Sequence, residues 1–162
     1  MNFKKPWSNS VNTIIEVNEI INNLSKDKII VYTYGVWDLF HPGHLRLLYR
    51  ARMLGDFLVV GVVSDLPVKE LKGDDRPTQG QEERLLTVGG ARCVDVAVPQ
   101  KLYDPSIELK SMNRVNILTK GDDWDYIPGQ ETIESLGGQL VKLSYTKGFS
   151  TSQTVKKMKH VK

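Results

Sequence analysis

Apolar Ile14, Val17, Ile21 and Leu24, with Ile20 beside them, recur at helical spacing and predict an amphipathic helix from about Thr13 to Leu24. The pattern then changes. Ile29-Ile-Val-Tyr-Thr-Tyr34 is a short β-branched and aromatic run, and Gly35 opens a turn-rich stretch through Gly43. A helical pattern from His44 to Leu54 stops at Gly55. Phe57-Leu-Val-Val-Gly-Val-Val63 is then apolar without alternation, as in a strand covered on both faces of a parallel sheet. These pieces make a βαβ unit. A polar loop from Ser64 to Gly80 is expected to lead into a helix over Gln81 to Ala91 and a strand at Val94 to Val98. A helix over Pro105 to Met112 precedes a strand at Val115 to Thr119, and a helix over Gly129 to Leu136 precedes a strand at Gln139 to Leu143. A last helix starts near Thr151.

Strands alternating with helices imply an α/β fold: a single Rossmann-like domain with a doubly wound, five-stranded parallel sheet over residues 28–162. Residues 1–27 form an added N-terminal helical extension. Ligands of such sheets sit outside the carboxyl ends of the strands, where strand order reverses. The loops after Tyr34, Val63, Val98, Thr119 and Leu143 are therefore the expected site.

With 162 residues the chain can bury a full core without disulfides, and its one cysteine, Cys93, reads as a packing residue. A net charge of +3, spread along the chain, argues against nucleic acid as a partner. The lysines near the end, Lys156, Lys157, Lys159 and Lys162, suit a solvated last helical turn. No apolar run is long enough for a membrane span and no secretory signal follows Met1, so a cytoplasmic location is expected.

Chemistry concentrates where the first strand hands over to the first helix. His41 and His44 are separated by Pro42-Gly43, and His44 is expected to begin a helix whose free N–H groups favour phosphate. The imidazoles could donate to phosphate oxygens, and Gly43 lets the backbone approach them closely.

Gly35-Val-Trp-Asp-Leu-Phe-His-Pro-Gly-His44 resembles the first signature of the cytidylyltransferase-like nucleotidyltransferases, and Lys147-Gly-Phe-Ser-Thr-Ser152 resembles their second. Between them, Leu71-Lys-Gly-Asp-Asp-Arg-Pro77, Arg92-Cys-Val-Asp95 and Lys120-Gly-Asp-Asp-Trp124 resemble further family motifs in the expected order. The first signature and Gly121-Asp-Asp-Trp124 are similar to glycerol-3-phosphate cytidylyltransferase and to the choline-phosphate and ethanolamine-phosphate enzymes. Leu71 to Pro77 and Glu131 to Gly138 are similar to the adenylyltransferase that makes ADP-heptose.

The resemblance implies His41, His44 and Lys72 as catalytic residues, with Lys69 as a substitute for the lysine in binding the substrate. A mobile ammonium at Lys72 would bridge two phosphates that otherwise repel. It implies nucleotide contacts from Tyr34, Gly35, Val36, Gly43, Arg92, Asp123, Gly148, Ser150, Thr151 and Ser152, and substrate contacts from Asp38 and Trp124. Asp38 could equally stabilise the turn, Arg92 could be an ordinary salt-bridged arginine, and Ser150 to Ser152 could be a plain helix cap. Tyr145-Thr146 stands where many of these cytidylyltransferases carry Arg-Thr.

The reaction implied is in-line attack of an acceptor phosphate on the α-phosphorus of a nucleoside triphosphate, with pyrophosphate leaving and no covalent enzyme step. Transfer of CMP from CTP to a phosphorylated or phosphonylated polar molecule, such as a polyol phosphate, is the first expectation. An adenylyltransferase using ATP and a sugar 1-phosphate is the second, and a non-catalytic nucleotide-binding module the third. Mg²⁺ is expected to arrive with the triphosphate, as no carboxylate cage is visible in the sequence. A homodimer is the family expectation, with Trp7 and the N-terminal helix as contributors. A class I aminoacyl-tRNA synthetase shares the His-x-Gly-His pattern but needs more chain than 162 residues.

Overall fold

A computed structural model of the chain describes residues 7–144 and 155–156. Five strands, β1 (Ile30–Gly35), β2 (Phe57–Val63), β3 (Val96–Gln100), β4 (Ile117–Gly121) and β5 (Gln139–Leu143), form one parallel sheet in the order β3-β2-β1-β4-β5. The chain winds outward from β1 to β3, then returns to the other side of β1 for β4, so strand order reverses between β1 and β4. Val31 marks the junction, paired with Leu58 on one side and Ile117 on the other.

Helices cover both faces. On one face, α2 (Pro42–Arg52) and α4 (Gln81–Gly89) bring Leu48, Ala51, Leu85 and Val88 onto Val31, Leu58, Val60 and Ile117. On the other, α1 (Ile14–Asn22), α3 (Asp65–Lys72), α5 (Ser106–Ser111) and α6 (Gln130–Ser135) bring Val17, Ile21, Val68, Leu109 and Ile133 onto Tyr32, Tyr34, Val59 and Leu118. Because both faces are buried, alternation is absent from β2 and β4, as expected for inner strands of a parallel sheet.

The expected N-terminal helix is present, and its segment is tied to the domain. Val11 N donates to Ala97 O at 2.9 Å and Ala97 N to Asn9 O at 3.1 Å, so residues just before α1 run along the outer edge of β3 and occupy hydrogen bonds an edge strand would leave open. Thr13 caps α1 by accepting from Glu16 N at 3.3 Å, while the Glu16 carboxylate accepts from Asn12 N at 3.1 Å.

Several boundaries differ from the sequence reading. Helix α2 begins at Pro42, not His44: proline suits the first helical position because its missing N–H would be unpaired there. Strands β3 and β4 each sit two residues later than expected, which places Lys120 inside a strand. The segment read as a polar loop from Ser64 to Gly80 contains α3. That helix buries only Val68 and leaves Leu66 and Leu71 more than half exposed, so no apolar periodicity marks it. Pro67 is tolerated because it falls in the first turn.

Candidate active site

The loop from β1 to α2 is held in an uncommon backbone conformation. Trp37 and Leu39 have φ of 58° and 47°, in the left-handed region that costs a side-chain-bearing residue about 1–3 kcal/mol. Surrounding contacts hold both in place. Trp37, 4% exposed, donates from Nε1 to Gly61 O at 3.0 Å, and Leu39 N donates to Gln79 Oε1 at 3.0 Å. Gly35 makes room where the tryptophan folds back, since a Cβ there would stand 3.0 Å from the indole and push it aside.

Asp38 points inward and organises the segment after α3. Its carboxylate accepts from Thr78 N at 2.9 Å, Gln79 N at 3.0 Å and the Arg76 guanidinium at 3.3 Å. Burial alone would raise its pKa, but the two backbone N–H groups, Thr78 and Arg76 outweigh it and hold the carboxyl below its usual range. Of the roles the sequence left open for Asp38, this geometry supplies the one that stabilises the turn. Arg84, 0% exposed, completes the scaffold. Its guanidinium donates to Gln79 O at 2.9 Å, Val36 O at 2.5 Å, Val63 O at 2.9 Å and the Asp65 carboxylate at 2.5 Å. One side chain thus joins the carboxyl ends of β1 and β2 to the start of α3.

His41 is the N-cap of α2. Its Nδ1 accepts from Gly43 N at 3.1 Å and His44 N at 3.4 Å. An accepting ring nitrogen carries no proton, so the neutral ring keeps its proton on Nε2, leaving a fixed N–H donor. His44 stacks on it, with ring centroids 3.7 Å apart and planes at 21°. Trp37 and Phe40 flank His44 at 5.4 and 5.5 Å. The His44 Nδ1 is buried and makes no hydrogen bond among the described residues.

Burial lowers the pKa of His41, and burial followed by the charges of His41 and Lys72 brings that of His44 down to about 3, with Asp38 opposing. Both rings are therefore neutral at pH 7. They can offer N–H groups to phosphate oxygens without contributing charge, alongside the positive end of α2.

The cationic part falls to lysines. Lys72 ends α3 near the pair, and its pKa is lowered by loss of hydration and by Arg76, against the pull of Asp38. Lys69, one turn earlier on α3, is exposed. Across the strand-order reversal, Lys120 in β4 donates to Tyr34 O at 2.9 Å, and its Nζ stands 5.4 Å from the centre of the Trp124 ring. Asp123 and Trp124 follow on the exposed loop after β4.

The structure therefore gathers Tyr34, Gly35, Val36, Asp38, His41, Gly43, His44 and Lys72 around the carboxyl end of β1, with Asp123 and Trp124 after β4. Arg92, four residues before β3, lines a groove with Leu45, Arg46, Tyr49, Arg50 and Cys93 along α2, the helix that starts at the His41-His44 pair. Gly148, Ser150, Thr151 and Ser152 lie outside the described residues. Arg84 had no sequence signal as a site residue, since it sits in an ordinary amphipathic helix; Lys120 opened a family-like motif but was given no role and was expected just beyond its strand.

The family model described as cytidylyltransferase-like matches residues 32–156. Bifunctional protein HldE of Pelobacter propionicus is 38% identical over 83% of this chain and 28% of its own length. Bifunctional protein HldE of Campylobacter concisus is 34% identical over 99% of this chain and 33% of its own. The chain thus spans about a third or less of the length of these relatives. Among solved structures, a lipopolysaccharide core biosynthesis protein from Thermoplasma volcanium superposes with a TM-score of 0.63 at 27% identity, covering 74% of this chain and 99% of its own. Pantoate-beta-alanine ligase from Francisella tularensis, at 15% identity, shares the fold, with a TM-score of 0.66 over 90% of this chain and 72% of its own. With the histidine pair at the carboxyl end of β1 and the family match running through β1 to residue 156, the chain belongs to the cytidylyltransferase-like family.

Proposed function

We propose that the chain transfers a nucleoside monophosphate, AMP from ATP, to the phosphate of a sugar phosphate. An oxygen of the acceptor phosphate attacks the α-phosphorus, the bond from the α-phosphorus to the bridging oxygen breaks, and pyrophosphate leaves with that oxygen. The observation that carries this reading is the His41-His44 stack at the N-terminus of α2, with the His41 proton fixed on Nε2 by its capping role. Neutral imidazole N–H donors and the positive end of the α2 dipole stabilise charge that grows on phosphate oxygens, and Lys72 supplies the mobile cation. Gly148, Ser150, Thr151 and Ser152 are proposed as further contacts to the triphosphate.

Adenylate is preferred to the cytidylate first expected because the HldE relatives accord with the stretches, Leu71 to Pro77 and Glu131 to Gly138, that are similar to the ADP-heptose-forming enzyme. The Gly121-Asp-Asp-Trp124 run is the feature that favours CTP. Among the described residues no cluster of three or more histidine, cysteine or carboxylate side chains is placed to hold a metal. Mg²⁺ is proposed to enter with the triphosphate, where it would neutralise phosphate charge. No helix among the described residues is long and apolar enough to cross a membrane.

Pyrophosphate release with ATP or CTP, each against sugar 1-phosphates, polyol phosphates and amino-alcohol phosphates, tests the proposal. Turnover with ATP and a sugar 1-phosphate is expected. Turnover with CTP alone would replace it by the cytidylyl reading, and nucleotide binding with no turnover would leave a binding module.

A further inference from the structure

β4 carries a lysine where an inner strand ordinarily carries an apolar residue. Lys120 is 8% exposed and shares the face of Leu118 and Tyr34, opposite the face covered by α2. Its ammonium donates to Tyr34 O at 2.9 Å, lies 4.0 Å from the centre of the Tyr34 ring and sits 5.4 Å from that of Trp124. An ammonium has three N–H donors, and the Tyr34 carbonyl uses one. Among the described residues no carboxylate forms an ion pair with it. Loss of hydration lowers its pKa to about 8, with Asp123 opposing and Lys72 adding, so most of the charge remains at pH 7.

A buried cation of this kind is ordinarily paired. The two donors that find no hydrogen-bond partner among the described residues stand at the carboxyl ends of β1 and β4, where ligands of this fold bind. Lys72 lies close enough for its charge to depress the protonation of both His44 and Lys120. The His41-His44 pair at the start of α2 thus stands on one face, with α3, which ends at Lys72, and Lys120 on the other, and the Lys72 charge reaches both His44 and Lys120.

We propose that Lys120 binds the phosphate of the acceptor, placing it across Lys72 from the nucleotide phosphates held at His41 and His44. This rests on the nucleotidyl-transfer reading above. Lys72 then stands between two anions brought together for attack, and Trp124, 37% exposed, covers the acceptor side. The Tyr34 ring is buried and its hydroxyl donates to Pro128 O at 2.9 Å, which favours the arrangement seen.

Lys120→Met removes the charge at similar length, and Lys120→Arg keeps it. The measurements are kcat and KM for the sugar 1-phosphate, ATP affinity by titration, and binding of inorganic phosphate to protein loaded with a non-hydrolysable ATP analogue, followed by tryptophan fluorescence. Loss of a charge-assisted hydrogen bond is expected to weaken both acceptor KM and phosphate binding by about tenfold or more in Lys120→Met. ATP affinity stays within about twofold, and Lys120→Arg recovers part of the loss. Unchanged phosphate binding would overturn the assignment, as would a fall in ATP affinity as large as the acceptor effect, which would place the triphosphate on Lys120. A lowered Tm with intact phosphate binding would make Lys120 a structural tether and overturn it too. Wild-type protein inactive with every acceptor would contradict the functional reading, while the phosphate titration would still decide the role of Lys120.

Discussion

At the scale of single residues, the site works with histidines that carry no charge. His44 is neutral because its ring is enclosed by His41, Trp37 and Phe40, and this has a consequence for acid stability. The unfolded chain protonates His44 near its ordinary pKa of about 6.5. The folded chain does so only near 3. Between those values the unfolded state binds more protons, so stability is unaffected above about pH 6.5 and is lost as pH falls below it, by up to about 1.4 kcal/mol per pH unit. His41, lowered in the same direction, adds to the loss. Urea melts at pH 7.5 and pH 5 should show His44→Asn losing roughly 1–2 kcal/mol less than wild type over that interval. Equal losses would mean the ring is not held neutral. Of this chemistry the His-Pro-Gly-His spacing was legible, because both histidines fall in a single turn. The fixed proton on Nε2 and the neutral state were not, since they arise from a cap bond and from neighbours that only the folded chain assembles.

At the scale of elements, α3 and α4 decide where the cation and the loop stand. Lys72 and Lys69 lie three residues apart on α3, yet only Lys72 lies close enough for its charge to act on His44. Lys72→Ala is expected to lower kcat about 100-fold, in the range of a lost transition-state contact, and Lys69→Ala by less than about threefold. Steady-state rates of the two variants check this. Arg84 binds three backbone carbonyls and the Asp65 carboxylate. Arg84→Leu strands those carbonyls in a buried position and should cost at least about 3 kcal/mol in chemical denaturation. α3 itself was missed because its eight residues include Pro67 and lie between polar stretches, with Val68 their one buried side chain. The other described helices and all five strands were legible from apolar spacing, apolar runs and glycine stops, even where only Ile133 in α6 or Leu143 in β5 is buried.

At the scale of the whole molecule, the parallel order β3-β2-β1-β4-β5 creates the crevice between β1 and β4, and Rossmann-like winding was legible from alternation alone. The pairing of residues 9–11 with Ala97 was not, because a short polar stretch gives no strand signal until it meets an edge. α2 and its C-cap leave Leu45, Tyr49 and Met53 exposed at 46%, 59% and 69%, four residues apart and so on one side of the helix. We propose that a homodimer covers this stripe. Sedimentation of wild type should then show a dimer and Tyr49→Glu a monomer, while a wild-type monomer would contradict the pairing.

The central claim is nucleotidyl transfer at the histidine stack. Phosphorus NMR of a reaction containing ATP, Mg²⁺ and a sugar 1-phosphate tests it most directly. The account predicts pyrophosphate and a nucleoside diphosphate sugar appearing in equal amounts, at a rate reduced about 100-fold or more in folded His44→Asn. Release of inorganic phosphate in place of pyrophosphate, or an undiminished rate in the variant, would contradict it.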